Sequence, residues 1–204
     1  MNLNIFYHQH AINDYQERFD NTYKKIVDSG LIKKIDKIYV NTDAAKIDNY
    51  YKVVSTYNER FTSESPTLMR LKEYAKSNSG CSLYLHSKGV TKPTSDKVQD
   101  WINMMEYFTI IKHSECLLNL EIGYNAVGVN YIDAVYYKPP QVKRYDGTFW
   151  WANNKYLATL PYIAIDEDRA ESENWIGRGE IIPKVLHQSN VDHYFINYPP
   201  SKYQ

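Results

Sequence analysis

The sequence predicts an α/β fold: a single Rossmann-like domain whose central sheet is mixed, mostly parallel and flanked by helices. Three observations point there. Short runs of strand formers alternate with segments of helical periodicity, as β-α-β units do. The run Ser82-Leu83-Tyr84-Leu85 stops abruptly in His86-Ser87-Lys88-Gly89, as a middle strand does at the ligand-facing edge of an open sheet. No internal repeat, low-complexity block or composition break divides the 204 residues, and that length suits one sizeable core.

In order, Leu3 to Tyr7 reads as a buried first strand, followed at its ligand-facing end by His8, Gln9 and His10. Asn13 or Asp14 caps a helix with Tyr15, Phe19, Tyr23, Ile26 and Val27 on its apolar face, and Ser29-Gly30 ends it. Lys37 to Val40 is the second strand, completing a β-α-β unit. Val53 and Val54 mark a short third strand, and Asn58, Glu59 and Arg60 a polar loop. Ser65-Pro66 opens a helix with proline at its first position. Its stripe is Leu68, Leu71 and Ala75, and Asn78-Ser79-Gly80 stops it before the middle strand, Cys81 to Leu85.

Val90 to Pro93 reads as loop. Ser95 then caps a long helix with Val98, Trp101, Met105, Phe108 and Ile111 inward, and His113 to Leu120 either continues it or forms another. Asn125 to Tyr131 reads as a strand, and Tyr136 to Tyr145, with Pro139-Pro140, as an exposed loop. Gly147 to Ala152 is strand-like. Asn153 or Asn154 caps a helix holding Tyr156, Leu157 and Leu160, ended by Pro161. Asp166 to Gly177 reads as an acidic helix anchored by Trp175 and Ile176. After Pro183 the tail reads as irregular, because Pro199-Pro200 interrupts it.

Composition narrows the function classes. Formal net charge is zero, so no nucleic-acid partner is expected. No apolar run approaches the ~20 residues that span a bilayer, and no signal peptide precedes the first strand. Cys81 and Cys116 lack metal-type spacing and sit beside apolar residues, as reduced core thiols do. A cytoplasmic protein is the expectation. The 20 Tyr and 4 Trp suit carbohydrate contact as well as core filling. No phosphate-loop lysine motif, dinucleotide glycine fingerprint or serine-hydrolase elbow is present.

The order HSKG (86–89), a Trp-bearing helix at Trp101, NAVGVNY (125–131), GTFWWANNKYLATLP (147–161) and RAESENWIG (169–177) resembles a family of small GT-A-type glycosyltransferases. Its members occur in bacterial polysaccharide loci and in large DNA viruses. The resemblance runs over most of the chain, and HSKG and GTFWWA are its most specific pieces. It implies one glycosyltransferase-like domain over 1–204, with a nucleotide-binding half at 1–94, an acceptor half at 95–180 and an irregular tail at 181–204. The implied reaction moves a sugar from a nucleoside-diphosphate sugar, UDP first and GDP second, to a hydroxyl of a glycan acceptor.

The same resemblance distributes roles. Tyr7, His8, Arg60, Thr67, His86, Ser87, Lys88 and Gly89 would meet the donor. Trp150, Trp151 and Trp175 would line the acceptor side. Glu173, then Glu171, then Asp146 are the candidates for a catalytic carboxylate. The Asp-x-Asp that holds a metal in most GT-A enzymes is replaced here by His86-Ser87-Lys88. The lone Asp166-Glu167-Asp168 lies too late in the chain and reads as a helix N-terminus. Lys88 would therefore supply positive charge to the diphosphate. Mn2+ or Mg2+ stays open as a cofactor, with His86 and His187 as its candidate ligands. His193 in the tail reads as an exposed histidine. Two alternatives stand beside the enzyme: a non-catalytic carbohydrate-binding module and a glycosyltransferase-like scaffold.

Overall fold

The structure, a computed structural model, describes residues 2–44, 47, 49–57, 63–90, 95–134, 142–164 and 169–204. β1 (Leu3–Gln9) and β4 (Cys81–His86) are buried at every position. Parallel strands covered on both faces read as near-continuous apolar runs for this reason. β1 is flanked by β2 (Lys37–Thr42) and β4, and β3 (Val53–Tyr57) forms one edge of the sheet. All of these pair in parallel. The sheet continues through β8 (Trp150–Asn153), β5 (Ala126–Val129) and β9 (Pro183–His187), in the order β3-β2-β1-β4-β8-β5-β9. β8 runs antiparallel to both β4 and β5. The predicted mixed, mostly parallel sheet flanked by helices is the observed one.

Side chains alternate across β1 and so fill two cores. On one face Tyr7 meets Phe19 of α1 (Tyr15–Asp28) edge-on at 5.2 Å. On the other, Phe6 stacks on Tyr39 at 4.9 Å, above Leu68 and Leu71 of α3 (Ser65–Ser77). A single turn, α2 (Leu31–Lys34), follows Gly30, whose φ of +76° lets the chain reverse after α1.

Four expectations are corrected. Ser95 does cap α4 (Asp96–Glu106), its Oγ accepting the Val98 N–H at 3.3 Å, but the helix then widens into a π turn at Tyr107–Ile111. That turn lengthens the repeat to five residues, so Ile110 follows Met105 into the core and Ile111 is 46% exposed. α5 (His113–Glu121) starts anew after Lys112. Next, the segment after β5 is not all loop. β6 (Tyr131–Ala134) pairs antiparallel with β7 (Val142–Tyr145) as a separate ribbon. This takes Tyr145 into the core, where its ring lies where a Cβ on Gly128 would need to be. Pro139-Pro140 and Asp166-Glu167-Asp168 fall outside the described residues. Third, the tail is not irregular throughout, because β9 pairs in parallel with β5; Pro183 is tolerated at the first position of an edge strand. Fourth, His193 is not exposed but 2% accessible. The rest of the tail folds over α4, with the Tyr198 N–H on Asp100 Oδ2 at 3.1 Å and His193 stacked on Trp101 at 5.1 Å.

The second half closes with α6 (Asn154–Thr159), capped by Asn153 Oδ1 on the Tyr156 N–H at 2.7 Å, and α7 (Arg169–Asn174). A turn of 3-10 helix, Trp175–Gly177, packs against β7. A Cβ on Gly177 would lie 1.8 Å from the Lys143 carbonyl oxygen, a backbone atom that cannot swing away. Gly177→Ala is therefore expected to destabilise the fold by about 1–3 kcal/mol or more, read as a lowered urea midpoint. An unchanged midpoint would show that the 3-10 turn is not seated on β7.

Cys81 and Cys116 are both free and buried. Burial pushes the Cys81 thiol up to about 11, so it stays a thiol. Among the described residues no helix is long and apolar enough to cross a membrane.

Candidate active site at the sheet switch point

The order of strands reverses between β1 and β4: one successor series leaves β1 through β2, the next begins on its other side with β4. The crevice beyond the carboxyl ends of two such strands is where an open α/β sheet takes its ligands. Here those ends carry His8 and Gln9 on β1, and His86 followed by Ser87, Lys88 and Gly89 on β4. The Ser87 N–H donates to the His8 carbonyl at 2.9 Å, so the two ends are laced together. Gly89 has a φ of +81°, and a Cβ there would fall 2.8 Å from Val98.

Beneath this edge lies a buried polar network. Glu64 precedes α3 and is 5% exposed. Its Oε1 receives His86 Nδ1 at 3.0 Å and its Oε2 receives the Tyr84 hydroxyl at 2.6 Å. Tyr84 and His86 are two apart on β4 and so share the face that looks at α3. His86 Nε2 lies 3.0 Å from the Gly147 carbonyl and 3.1 Å from Thr148 Oγ1. The two ring nitrogens of His86 thus face a carboxylate on one side and a carbonyl and a hydroxyl on the other. Burial on its own would raise the Glu64 carboxyl, yet the charge and hydrogen bond of His86 hold it well below the usual carboxylate range. His8 bonds Thr67 Oγ1 at 3.0 Å. Burial lowers His8 to about 4, against the pull of Glu64, so it is neutral beside the charged pair.

Lys88 is 6% exposed. Its Nζ sits 4.0 Å from the centroid of the Trp101 ring and 5.9 Å from that of Tyr194. It lines, with Tyr7, Arg18, His86 and Phe149, a cavity of about 20 Å³. That holds a water but no nucleotide. Facing Lys88 is Asp146, which follows β7. Burial raises the Asp146 carboxyl, while Lys88 and then Arg144 pull it back and Glu173 and Asp192 push it up. Arg144 also reaches Asp146 at 3.8 Å and Glu173 at 3.3 Å.

Most of the sequence-predicted site thus gathers at this edge. His8, Thr67, His86, Ser87, Lys88 and Gly89 come together, and Asp146 and Glu173 share one arginine near them. Glu171 does not join them; it pairs with Arg178. Tyr7 is a core residue, 2% exposed against Phe19. Arg60 lies outside the described residues. Trp150, Trp151 and Trp175 are corrected from acceptor contacts to core. Trp150 stacks on Tyr84 at 5.1 Å, Trp151 Nε1 donates to the Thr109 carbonyl at 2.8 Å, and Trp175 is 0% exposed. Trp101, the fourth tryptophan, is buried as well, so no indole offers an open face to a glycan.

His86 and His187 are not arranged as a metal pair. Both His86 nitrogens are engaged as described, while His187 stacks on Phe108 at 5.1 Å and bonds the Tyr198 hydroxyl at 2.9 Å. Among the described residues no three His, Cys, Asp or Glu side chains gather as a metal site requires. Sequence reasoning missed Glu64, Asp43 and Arg144. A glutamate before Ser65-Pro66 reads as a solvated helix entry, and only the topology of β4 brings Tyr84 and His86 over it.

No protein-family model matches the chain, and no curated protein matches it by sequence. Solved structures do share its fold. HddC from Yersinia pseudotuberculosis is similar with a TM-score of 0.53 and 9% identity, over 92% of this chain and 91% of that one. The 4-diphosphocytidyl-2C-methyl-D-erythritol synthase from Anaerococcus prevotii matches with a TM-score of 0.45 and 10% identity, over 98% and 94%. The bifunctional IspDF from Campylobacter jejuni matches with a TM-score of 0.49 and 8% identity, over 92% and 50%. None of the three is named for transferring a sugar to a hydroxyl, and the glycosyltransferase expectation is corrected accordingly. The chain carries a Rossmann-like α/β fold with a mixed, mostly parallel sheet, which it shares with HddC.

Proposed function

We propose that the chain is a nucleotide-dependent transferase whose nucleoside-phosphate substrate lies across the carboxyl ends of β1, β2 and β4. The carrying observation is Lys88: a nearly buried cation at the tip of the middle strand, held on the face of Trp101 and opposed by Asp146. The reaction proposed is nucleotidyl transfer. A phosphate oxygen of a second substrate bonds to the α-phosphorus of a nucleoside triphosphate, and pyrophosphate leaves with the electron pair of the broken P–O bond. Fixed positive charge at the leaving group lowers the barrier most when it is preorganised in a poorly solvated site, as Lys88 is. Asp146 balances that charge. A nucleoside-diphosphate sugar, with uridine first and guanosine second, is the proposed product class. No step is routed through a metal, because the described side chains supply no cradle for one.

The test is calorimetric titration with UTP, CTP, GTP and UDP-glucose, together with pyrophosphate release. At least one nucleotide should bind the native protein. Lys88→Ala should weaken it by about tenfold or more, the loss of one charge-assisted contact, with an unchanged far-UV spectrum. Equal affinity in Lys88→Ala, or no binding of any nucleotide, would overturn the reading.

A further inference from the structure

The segment that follows β1 holds a second polar constellation, which the site above does not use. The His10 ring directs Nδ1 at Asp43 Oδ2, 2.8 Å away. The other oxygen of Asp43 accepts the Ala11 backbone N–H at 2.6 Å. The His10 backbone N–H donates to Ser87 Oγ at 3.0 Å, and the Asn13 amide to the Val90 carbonyl at 2.5 Å. The segment is thus tied to the ends of β2 and β4 at the switch point itself. Asp43 is sheltered, with 14% of its side chain exposed, whereas the His10 ring is 32% exposed. With Nδ1–H donated to the carboxylate, Nε2 carries the lone pair. A proton taken up there gives an imidazolium whose charge Asp43 balances and whose Nε2–H is a donor for an anion.

We propose that His10, held by Asp43, is a phosphate contact that takes a proton from solvent when a phosphate-bearing ligand binds. The ligand class is a nucleoside diphosphate or phosphate monoester dianion, and the inference rests on the nucleotide-site reading above. No covalent bond changes: the proton passes from buffer to Nε2, and a phosphate oxygen accepts the resulting N–H. Among the described residues, the charged or titratable groups on this side are Asp43 beyond β2 and His8 within β1, with Glu64 and His86 next to His8. Ser87, from the β4 side, is uncharged.

A tether that merely fixes the segment would show the same hydrogen bonds, and one substitution separates the two accounts. In His10→Asn the side-chain amide N–H takes the place of Nδ1–H on Asp43, so the tether is kept while Nε2 is removed. Calorimetry with UDP and with inorganic phosphate, in two buffers of different ionisation enthalpy, reads proton uptake directly. The native protein should take up a proton on binding. His10→Asn should lose that uptake and bind about tenfold or more weakly, at an unchanged melting temperature. If His10→Asn fails to fold, Asp43→Asn serves instead: it keeps an acceptor for the Ala11 N–H and removes the balancing charge, and uptake should fall. Native affinity and uptake in these variants would overturn the proposal. Loss of binding in Lys88→Ala with none in His10→Asn would overturn this inference alone. Failure of the native protein to bind any nucleotide would overturn it together with the function.

Discussion

Glu64→Ala is expected to lower the unfolding free energy by about 3–5 kcal/mol, the cost of stranding one member of a buried ion pair. The size follows from the surroundings. Glu64 is 5% exposed and accepts from both His86 Nδ1 and the Tyr84 hydroxyl. Removing the carboxylate leaves the His86 ring and the Tyr84 phenol without their buried acceptor between α3 and β4. The His86 ring also bonds the Gly147 carbonyl and Thr148, so the disturbance reaches the turn that precedes β8. Glu64→Gln keeps the volume and one acceptor and should cost distinctly less. Urea unfolding at pH 7 measures both variants. A loss below about 1 kcal/mol for Glu64→Ala would mean that the pair is neutral or hydrated, and that the network does not hold the two strand ends.

Acidification should destabilise the protein between pH 6.5 and about 4, with His8 as the main cause. Burial holds folded His8 near 4, against 6.5 for an unperturbed histidine. Between those values the unfolded chain binds a proton that the folded chain refuses, so stability is fully present above about pH 6.5 and falls as the pH drops toward 4. The full effect of one such group is on the order of 3 kcal/mol. His193, lowered to about 4 by burial, adds a contribution of the same sign. Glu64 acts in the same direction but lower, through the carboxylate range, because its folded value is depressed. The urea midpoint of the native protein should decline over this window, and that of His8→Asn should decline less steeply. Parallel curves for the two proteins would remove His8 from the account.

Local pattern carried much of the fold. The alternation of apolar runs and amphipathic helices placed β1, β2, β4, α1 and α3 nearly where they lie, since each is specified by its own periodicity. What pattern could not show was pairing at long range. Pro183 to His187 looks irregular because its partner, β5, is more than fifty residues earlier and supplies the order. Tyr145 looks like loop because the burial that defines it comes from packing on Gly128 of β5, in the central sheet. The π turn escaped notice because a register change of one residue leaves no mark in composition. At the site, the sequence marked His86 and Lys88 as a strand ending in polar residues and glycine, a pattern that a solvated turn shares. Trp150, Trp151 and Trp175 misled, since an aromatic run fits a sugar platform and a core equally well. Glu64 and Asp43 were invisible because their roles belong to neighbours brought in by the sheet.

The position of β8 bears on how the chain is made. It fills the slot beside β4 and, among the described strands of that sheet, is the one that runs the other way, yet it is translated long after β4. Until Trp150 has left the ribosome, the apolar segment Cys81–His86 has one bare ladder of amide and carbonyl groups, the kind of border that recruits foreign strands. The gap between synthesis of the interior and synthesis of its cover makes the nascent polypeptide, rather than the finished molecule, the form most exposed to aggregation.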